Sequence, residues 1–384
     1  MVLSLIIRNA LRHKLRTFLT ILGVAVAVMA FGLIRTILVA WYSSVEASSP
    51  DRLVTRNAVG ITSTLPLSYR EQILKIDGVK QVTWANWFGG TYIDPENFFP
   101  QFAVDKDTYF EVFPEFITPP DQFEAWKNDL RGAIVGRKLA DRFGWKIGDR
   151  ITLIGSIYTD NWDFNIVGIY AGKDQTIDEG SMLMRWDYLD AWIKKNWPGY
   201  AAQIGWYILK LGDPSRSTEI STTIDKQFKN SSAETRTETE KAFALSFVQM
   251  SGAILVLLQV MSFLIIGIIL MVLVNTMVMA GRERTAEHAY MKSLGFRAHH
   301  LVWIISGESL LIAFLGGGLG LLLLFGVANI VKSAVAMWFP VFVVTPATFV
   351  IVICVALLVG LLAAIFPAQR VVRMKIVDGL RVVD

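Results

Sequence analysis

The chain has 384 residues, 53% hydrophobic and 18% charged, with mean hydropathy +0.45 and 37 Lys+Arg against 33 Asp+Glu, a formal net charge of +4. This balance excludes a disordered chain and points to apolar blocks alternating with a soluble domain. The lone Cys354 excludes an internal disulfide framework and a zinc site of paired thiolates. A pI near 9.0 suits nucleic acid or an anionic membrane equally, so the distribution of charge must decide.

In chain order, residues 1–16 form a basic amphipathic segment with Arg8, Arg12, Lys14 and Arg16. A crossing helix needs about 20 mainly apolar residues, and 17–41 is the first such stretch; it is too long for a cleaved signal and reads as an uncleaved anchor. Residues 42–250 hold no further span. Strands are predicted at 52–56, 81–87, 101–104, 150–157, 164–172, 181–184 and 205–211, and helices at 68–76, 137–143, 186–197 and 214–228, giving an α+β domain. Pro119-Pro120 and Gly180 suggest an inserted subdomain over 119–181. Trp84, Trp87, Trp126, Trp145, Trp162, Trp186, Trp192, Trp197 and Trp206 lie in this domain; core packing and an exposed aromatic surface for an apolar ligand are both open readings.

The second span covers 252–280. Its helical pattern is expected to begin near Thr237, a continuous helix of about 44 residues and about 66 Å that would form a stalk. A loop at 281–300, a third span at 301–331, a short loop at 332–347, a fourth span at 348–367 and a tail at 368–384 complete the chain. Trp41, Trp303 and Trp338 fall at predicted membrane interfaces.

Lys and Arg cluster before span one, between spans two and three and after span four, whereas the 332–347 loop holds only Lys332. The positive-inside rule then places both termini and the 281–300 loop in the cytoplasm and 42–250 outside. The cytoplasmic segments have 12 basic and four acidic residues, a balance of +8, which leaves −4 elsewhere and removes the nucleic-acid reading.

Catalytic signals are weak. The run Gly168 to Asp174 has one residue too few for a phosphate-binding loop and lacks its Ser or Thr. His13, His288, His299 and His300 all lie on the expected cytoplasmic side, which argues against a metal site outside. Within the spans, Arg35 is placed to snorkel to the outer interface, and Glu308, at a different depth, is assigned to a helix contact or a cytoplasmic cavity. Gly316, Gly317 and Gly320 form a helix-packing surface, within one chain or between two. In the 281–300 loop, Arg284 to Leu294 reads as a short amphipathic helix, with Ala289, Met291 and Leu294 available for packing, Glu287 and Lys292 outward, and Gly295 as its C-cap. A helix that receives force and a solvated hairpin remain alternatives.

The loop, with Glu283-Arg284-Thr285, Glu287 and Met291-Lys292-Ser293-Leu294-Gly295, resembles the MacB/FtsX/LolC-E family of ABC transporter permeases, departing at His288-Ala289, where that family has Ile-Gly. Asn9-Ala10-Leu11-Arg12 with Leu15 to Gly23, the run Glu308 to Gly320, Pro367-Ala368 with Asp378 to Arg381, and Gly132 to Gly144 with Phe164 to Ile169 are similar to further family motifs. The resemblance implies a non-catalytic, multi-pass permease subunit in a bacterial inner membrane, with no cofactor of its own. It also implies a separate ATPase subunit that binds ATP and Mg, a second permease copy or a paralogous one, and in some systems a periplasmic adaptor. It places ATPase coupling at Arg284, Glu287, Met291, Lys292, Leu294 and Gly295. The implied action is mechanotransmission in export or extraction of a lipoprotein, lipid, peptide or drug. The alternatives are FtsX-like regulation of external cell-wall enzymes and a membrane-anchored receptor without an ATPase.

Overall fold

The computed structural model describes residues 6, 8, 12–174, 176–335, 339 and 341–376. Asn9, Ala10, Leu11, Trp338 and residues 378–381 lie outside the described residues. The chain divides into a helical unit (1–40, 252–334 and 342–384) and a sheet unit (41–251 and 335–341).

The sheet unit contains β1 (Arg52–Asn57), β2 (Leu65–Pro66), β3 (Val79–Trp87), β4 (Gly90–Thr91), β5 (Gln101–Val104), β6 (Phe116–Ile117), β7 (Gly132–Gly136), β8 (Arg150–Gly155), β9 (Asn161–Gly172), β10 (Met182–Arg185), β11 (Gln203–Ile204), β12 (Trp206–Leu211) and β13 (Thr235–Thr239). The main sheet runs β13-β1-β12-β3-β5-β10-β7-β9-β8-β4, parallel at β5–β10 and β7–β9 and antiparallel elsewhere; β6 joins β9, and β2 pairs with β11 separately. Successive side chains point to opposite faces. Leu53, Ala103, Val135, Met182 and Leu209 therefore join one buried cluster, and Val54, Val104, Ile134, Leu183 and Ile208 join another.

The helices are α1 (Lys14–Glu46), α2 (Tyr69–Leu74), α3 (Tyr109–Val112), α4 (Pro120–Asn128), α5 (Arg137–Phe143), α6 (Trp186–Asn196), α7 (Ser217–Gln227) and α8 (Glu240–Met250). Residues of α2, α5, α6 and α7 bury into the first cluster, and those of α3 and α4 into the second. Both faces of the sheet are covered.

Two expectations need correction. Residues 119–181 are not a subdomain with its own core: they supply β7, β8 and β9 to the common sheet, and Trp145, Leu153 and Trp162 share a cluster with Leu53 and Val82. Pro120 starts α4, because the first turn of a helix needs no N–H from that residue. The stalk is not one helix from Thr237. Residues 235–239 form β13 against β1, α8 ends at Met250, Ser251 makes a turn, and Gly252 opens the next helix. A Ser-Gly pair is a common place for a helix to break.

Most of the tryptophans are core. Trp84, Trp126, Trp145, Trp162, Trp186 and Trp206 are buried, Trp87 and Trp192 are half-buried, and Trp197 is exposed.

The helical unit comprises the first part of α1 with α9 (Gly252–Glu283), α10 (Thr285–Ser293), α11 (Ala298–Val335) and α12 (Pro346–Arg373). Among the described residues α1, α9, α11 and α12 are long and apolar enough to cross a membrane. Val24, Val28 and Phe31 of α1, Ile269, Leu273 and Met277 of α9, Ile312 and Leu324 of α11, and Val352, Ala356 and Val359 of α12 meet in one cluster. The last helix passes through Pro367 to Arg373 instead of stopping at the proline.

Glycines set the closest approaches. A Cβ on Gly320 would lie 2.6 Å from the Ala25 carbonyl oxygen, and one on Gly316 would lie 2.6 Å from the Val24 side chain. Gly317 instead faces α12, where its Cβ would be 3.1 Å from that of Ala356. The glycine run therefore lies against α1 and α12 of the same chain. Ser309 Oγ donates to the Gly360 carbonyl at 2.6 Å, a polar tie between α11 and α12.

Candidate functional site

The region with most charge chemistry in the helical unit surrounds α10. Arg284 stands at its N-cap, and Gly295, with φ +89°, closes the other end. The Gly295 N–H donates to the Lys292 carbonyl at 3.1 Å and that of Phe296 to Met291 at 3.0 Å, the paired bonds of a Schellman ending. A positive φ is costly for side chains with a Cβ, so glycine is the residue that permits this stop.

One face of α10 turns inward. Ala289 and His288 are buried, and Met291 packs against Leu301, Ile305, Ala364 and Val371. Arg284 Nη1 donates to Glu308 Oε2 at 2.7 Å, with both side chains less than a tenth exposed. An isolated charge at span depth costs about 2.5–3.5 kcal/mol or more, and pairing with a hydrogen bond offsets that cost. Glu308 thus has a defined partner, which Arg35 is not.

Lys292 Nζ donates to the carbonyls of Val371 at 2.7 Å, Met374 at 2.8 Å and Val372 at 3.2 Å. It therefore points inward, contrary to expectation: the last carbonyls of α12 lack intrahelical partners and carry the negative end of the helix dipole. Glu287 is outward but paired with Arg12, and Glu283 accepts from Arg16 at 2.7 Å. His288 Nδ1 is buried without a hydrogen-bond partner among the described residues, and burial, followed by the nearby Arg284 charge, lowers its pKa below the usual histidine value.

Of the six residues assigned to coupling, Arg284, Met291 and Lys292 face the bundle, Glu287 bridges to Arg12, and Leu294 is 78% exposed. The exposed ring of Tyr290 was missed in the sequence, where nothing distinguishes it from a packing residue. The Arg284–Glu308 tie was hidden by its separation of 24 residues.

Comparison with known families decides what this arrangement belongs to. Residues 17–227 match the MacB-like periplasmic core domain, and residues 259–376 match the FtsX-like permease C-terminal family. The chain belongs to the MacB/FtsX-type ABC transporter permeases. This permease is 25% identical over 257 residues to the uncharacterized ABC transporter permease protein Rv0987 of Mycobacterium tuberculosis, 66% of this chain but 28% of the relative's length. It is 24% identical over 301 residues to the uncharacterized ABC transporter permease YvrN of Bacillus subtilis, covering 74% of this chain and 70% of the relative. The periplasmic region of MacB from Actinobacillus actinomycetemcomitans aligns with a TM-score of 0.37 at 10% identity, over 53% of this chain and 95% of that one. In the MacB/FtsX-type permease, α10 and its ties to Glu308 and α12 lie inside the C-terminal family match.

Proposed function

We propose that this permease subunit couples nucleotide hydrolysis in a separate ABC ATPase to movement of its sheet unit, with α10 as the helix that receives the ATPase. The observation that carries this reading is the division of α10 into two faces. Arg284, Met291 and Lys292 lock its inner face to α11 and α12, while Tyr290 and Leu294, 55% and 78% exposed, stand outward on a rigid element. A helix gripped this way passes a push to two crossing helices instead of absorbing it. The basic residues at 12–16, 282–297 and 370–375 support a cytoplasmic location for this end. The sheet unit then lies outside, and work is done there without a path through the bilayer. Two such chains, identical or paralogous, pair over two ATPase subunits in a bacterial inner membrane, and the work serves export or extraction of an external or membrane-derived substrate.

The test is coexpression with a candidate ABC ATPase. Tyr290→Asp with Leu294→Asp is expected to abolish copurification or the permease-dependent part of ATP turnover while leaving the protein folded. Full copurification and unchanged turnover in that variant would remove the coupling assignment.

A further inference from the structure

The sheet unit holds a groove of about 990 Å³ that the permease reading leaves unused, and every residue lining it is uncharged. One wall is aromatic: Trp197 is 39% exposed, Tyr200 is 64% exposed, and Tyr158 lies buried beside them. Trp197 closes α6, and Pro198 begins a single tight turn in which the Tyr200 N–H donates to the Trp197 carbonyl at 2.8 Å. The Trp197 ring is braced from behind, its centroid 5.2 Å from Trp192 and 5.8 Å from Tyr158, and Trp192 Nε1 is itself held by Asp160 at 2.9 Å. Core packing accounts for the other eight tryptophans between residues 42 and 250 but not for an indole that is braced and still open to solvent.

The groove also holds unused hydrogen-bonding capacity. The side chains of Thr62 and Gln203 make no hydrogen bond with other described residues. Asn86, 2% exposed on β3, lines the groove, and its Oδ1 has no partner among the described residues. An orphaned buried acceptor costs about 1–3 kcal/mol, so a site that supplies it with a donor gains accordingly.

These features select a ligand class. A charged ligand would meet no countercharge in this lining, and an acyl chain would strand the amides and hydroxyls. A sugar ring offers an apolar C–H face to Trp197 and Tyr200 and hydroxyl or amide donors to Asn86, with further hydroxyls for Gln203 and Thr62. We propose that this groove binds a neutral oligosaccharide. The site goes beyond the permease reading and does not rest on it, because binding is measured with neither ATP nor an ATPase present.

The full chain in lipid nanodiscs is titrated with chitotetraose and with cellotetraose, followed by tryptophan fluorescence and calorimetry. At least one is expected to bind saturably with Kd of about 1 mM or tighter. Trp197→Ala should weaken that binding by about tenfold or more and Tyr200→Ala by about threefold, while Trp197→Phe retains most of it. Should Trp197→Ala fail to fold, the more exposed Tyr200→Ala carries the test. No saturable binding of either sugar up to about 10 mM, or binding indifferent to both alanine variants, would overturn the proposal. So would Trp197-dependent binding of octanol in place of the sugars, which would assign the groove to apolar chains.

Discussion

In the sheet unit, position is set by large side chains: Trp126 and Trp162 are at most 1% exposed and each touches at least two other rings. In the helical unit close approaches occur at Gly316, Gly320 and Gly360, where no side chain stands, and directional contacts include one buried ion pair, the Lys292 bonds to the end of α12 and a few hydroxyls. The difference follows from the solvent each unit answers to. Water drives large apolar side chains inward in a soluble fold. Lipid does not distinguish one apolar face from another, so small residues and polar ties decide which helices meet.

The hardest test of this contrast is the buried pair. Glu308→Ala leaves Arg284 without its carboxylate, and removing one member of a buried pair typically costs about 3–5 kcal/mol. The double variant Arg284→Met with Glu308→Leu should recover most of that loss, as read from denaturant midpoints in mixed micelles. A single variant as stable as the parent would mean that the pair does not specify the bundle.

The sheet unit should respond to volume instead. Trp126→Ala is expected to cost about 3–5 kcal/mol through the cavity it leaves. Trp126→Phe should cost far less, because the buried indole N–H it removes has no partner among the described residues. Equal losses in the two variants, by thermal unfolding, would show that polarity and not volume governs that site.

The sequence disclosed these two regions unequally. Long apolar runs locate α1, α9, α11 and α12, and alternating runs locate most of the sheet, because each pattern has a period that a local window detects. β7 escaped since Gly132–Gly136 is short and glycine-bounded, and β13 escaped since its polar Thr and Glu residues read as the start of a helix. At the candidate site, the Gly295 cap was legible because it is a local signal. The inward turn of Lys292 was not, because its acceptors lie 79 to 82 residues away at the end of α12.

A smaller effect is expected where the helical unit depends on having no side chain at all. Gly320→Ala places a methyl 2.6 Å from the Ala25 carbonyl oxygen, a backbone atom that cannot swing aside. Overpacking of this kind costs about 1–3 kcal/mol. Gly318→Ala, whose added methyl meets nothing within 4 Å, is the matched control and should be neutral or slightly stabilising, since alanine has the better helix propensity. Equal behaviour of the two in a melting series would separate glycine content from helix contact and break the comparison on the membrane side.

The smallest effect joins the two kinds of order, because His288 is a polar side chain treated as core. Burial lowers its pKa from the ordinary 6.5, so the folded helix favours the neutral ring, and Arg284 and Lys292 add to that preference while Glu287 opposes it. In the unfolded state protons bind more readily below pH 6.5, so stability is fully present above that value and declines as pH falls toward the folded pKa. Amide protection factors over residues 285–293, which divide out the intrinsic pH dependence of exchange, should therefore fall on acidification from pH 8 to pH 5, with little change above pH 7. His288→Ile, which places an apolar group in the same space, should flatten that dependence while keeping the helix. If the acid response persisted in this variant, His288 would not be its source, and the inner face of α10 would then be held by packing, the Arg284–Glu308 pair and the Lys292 cap.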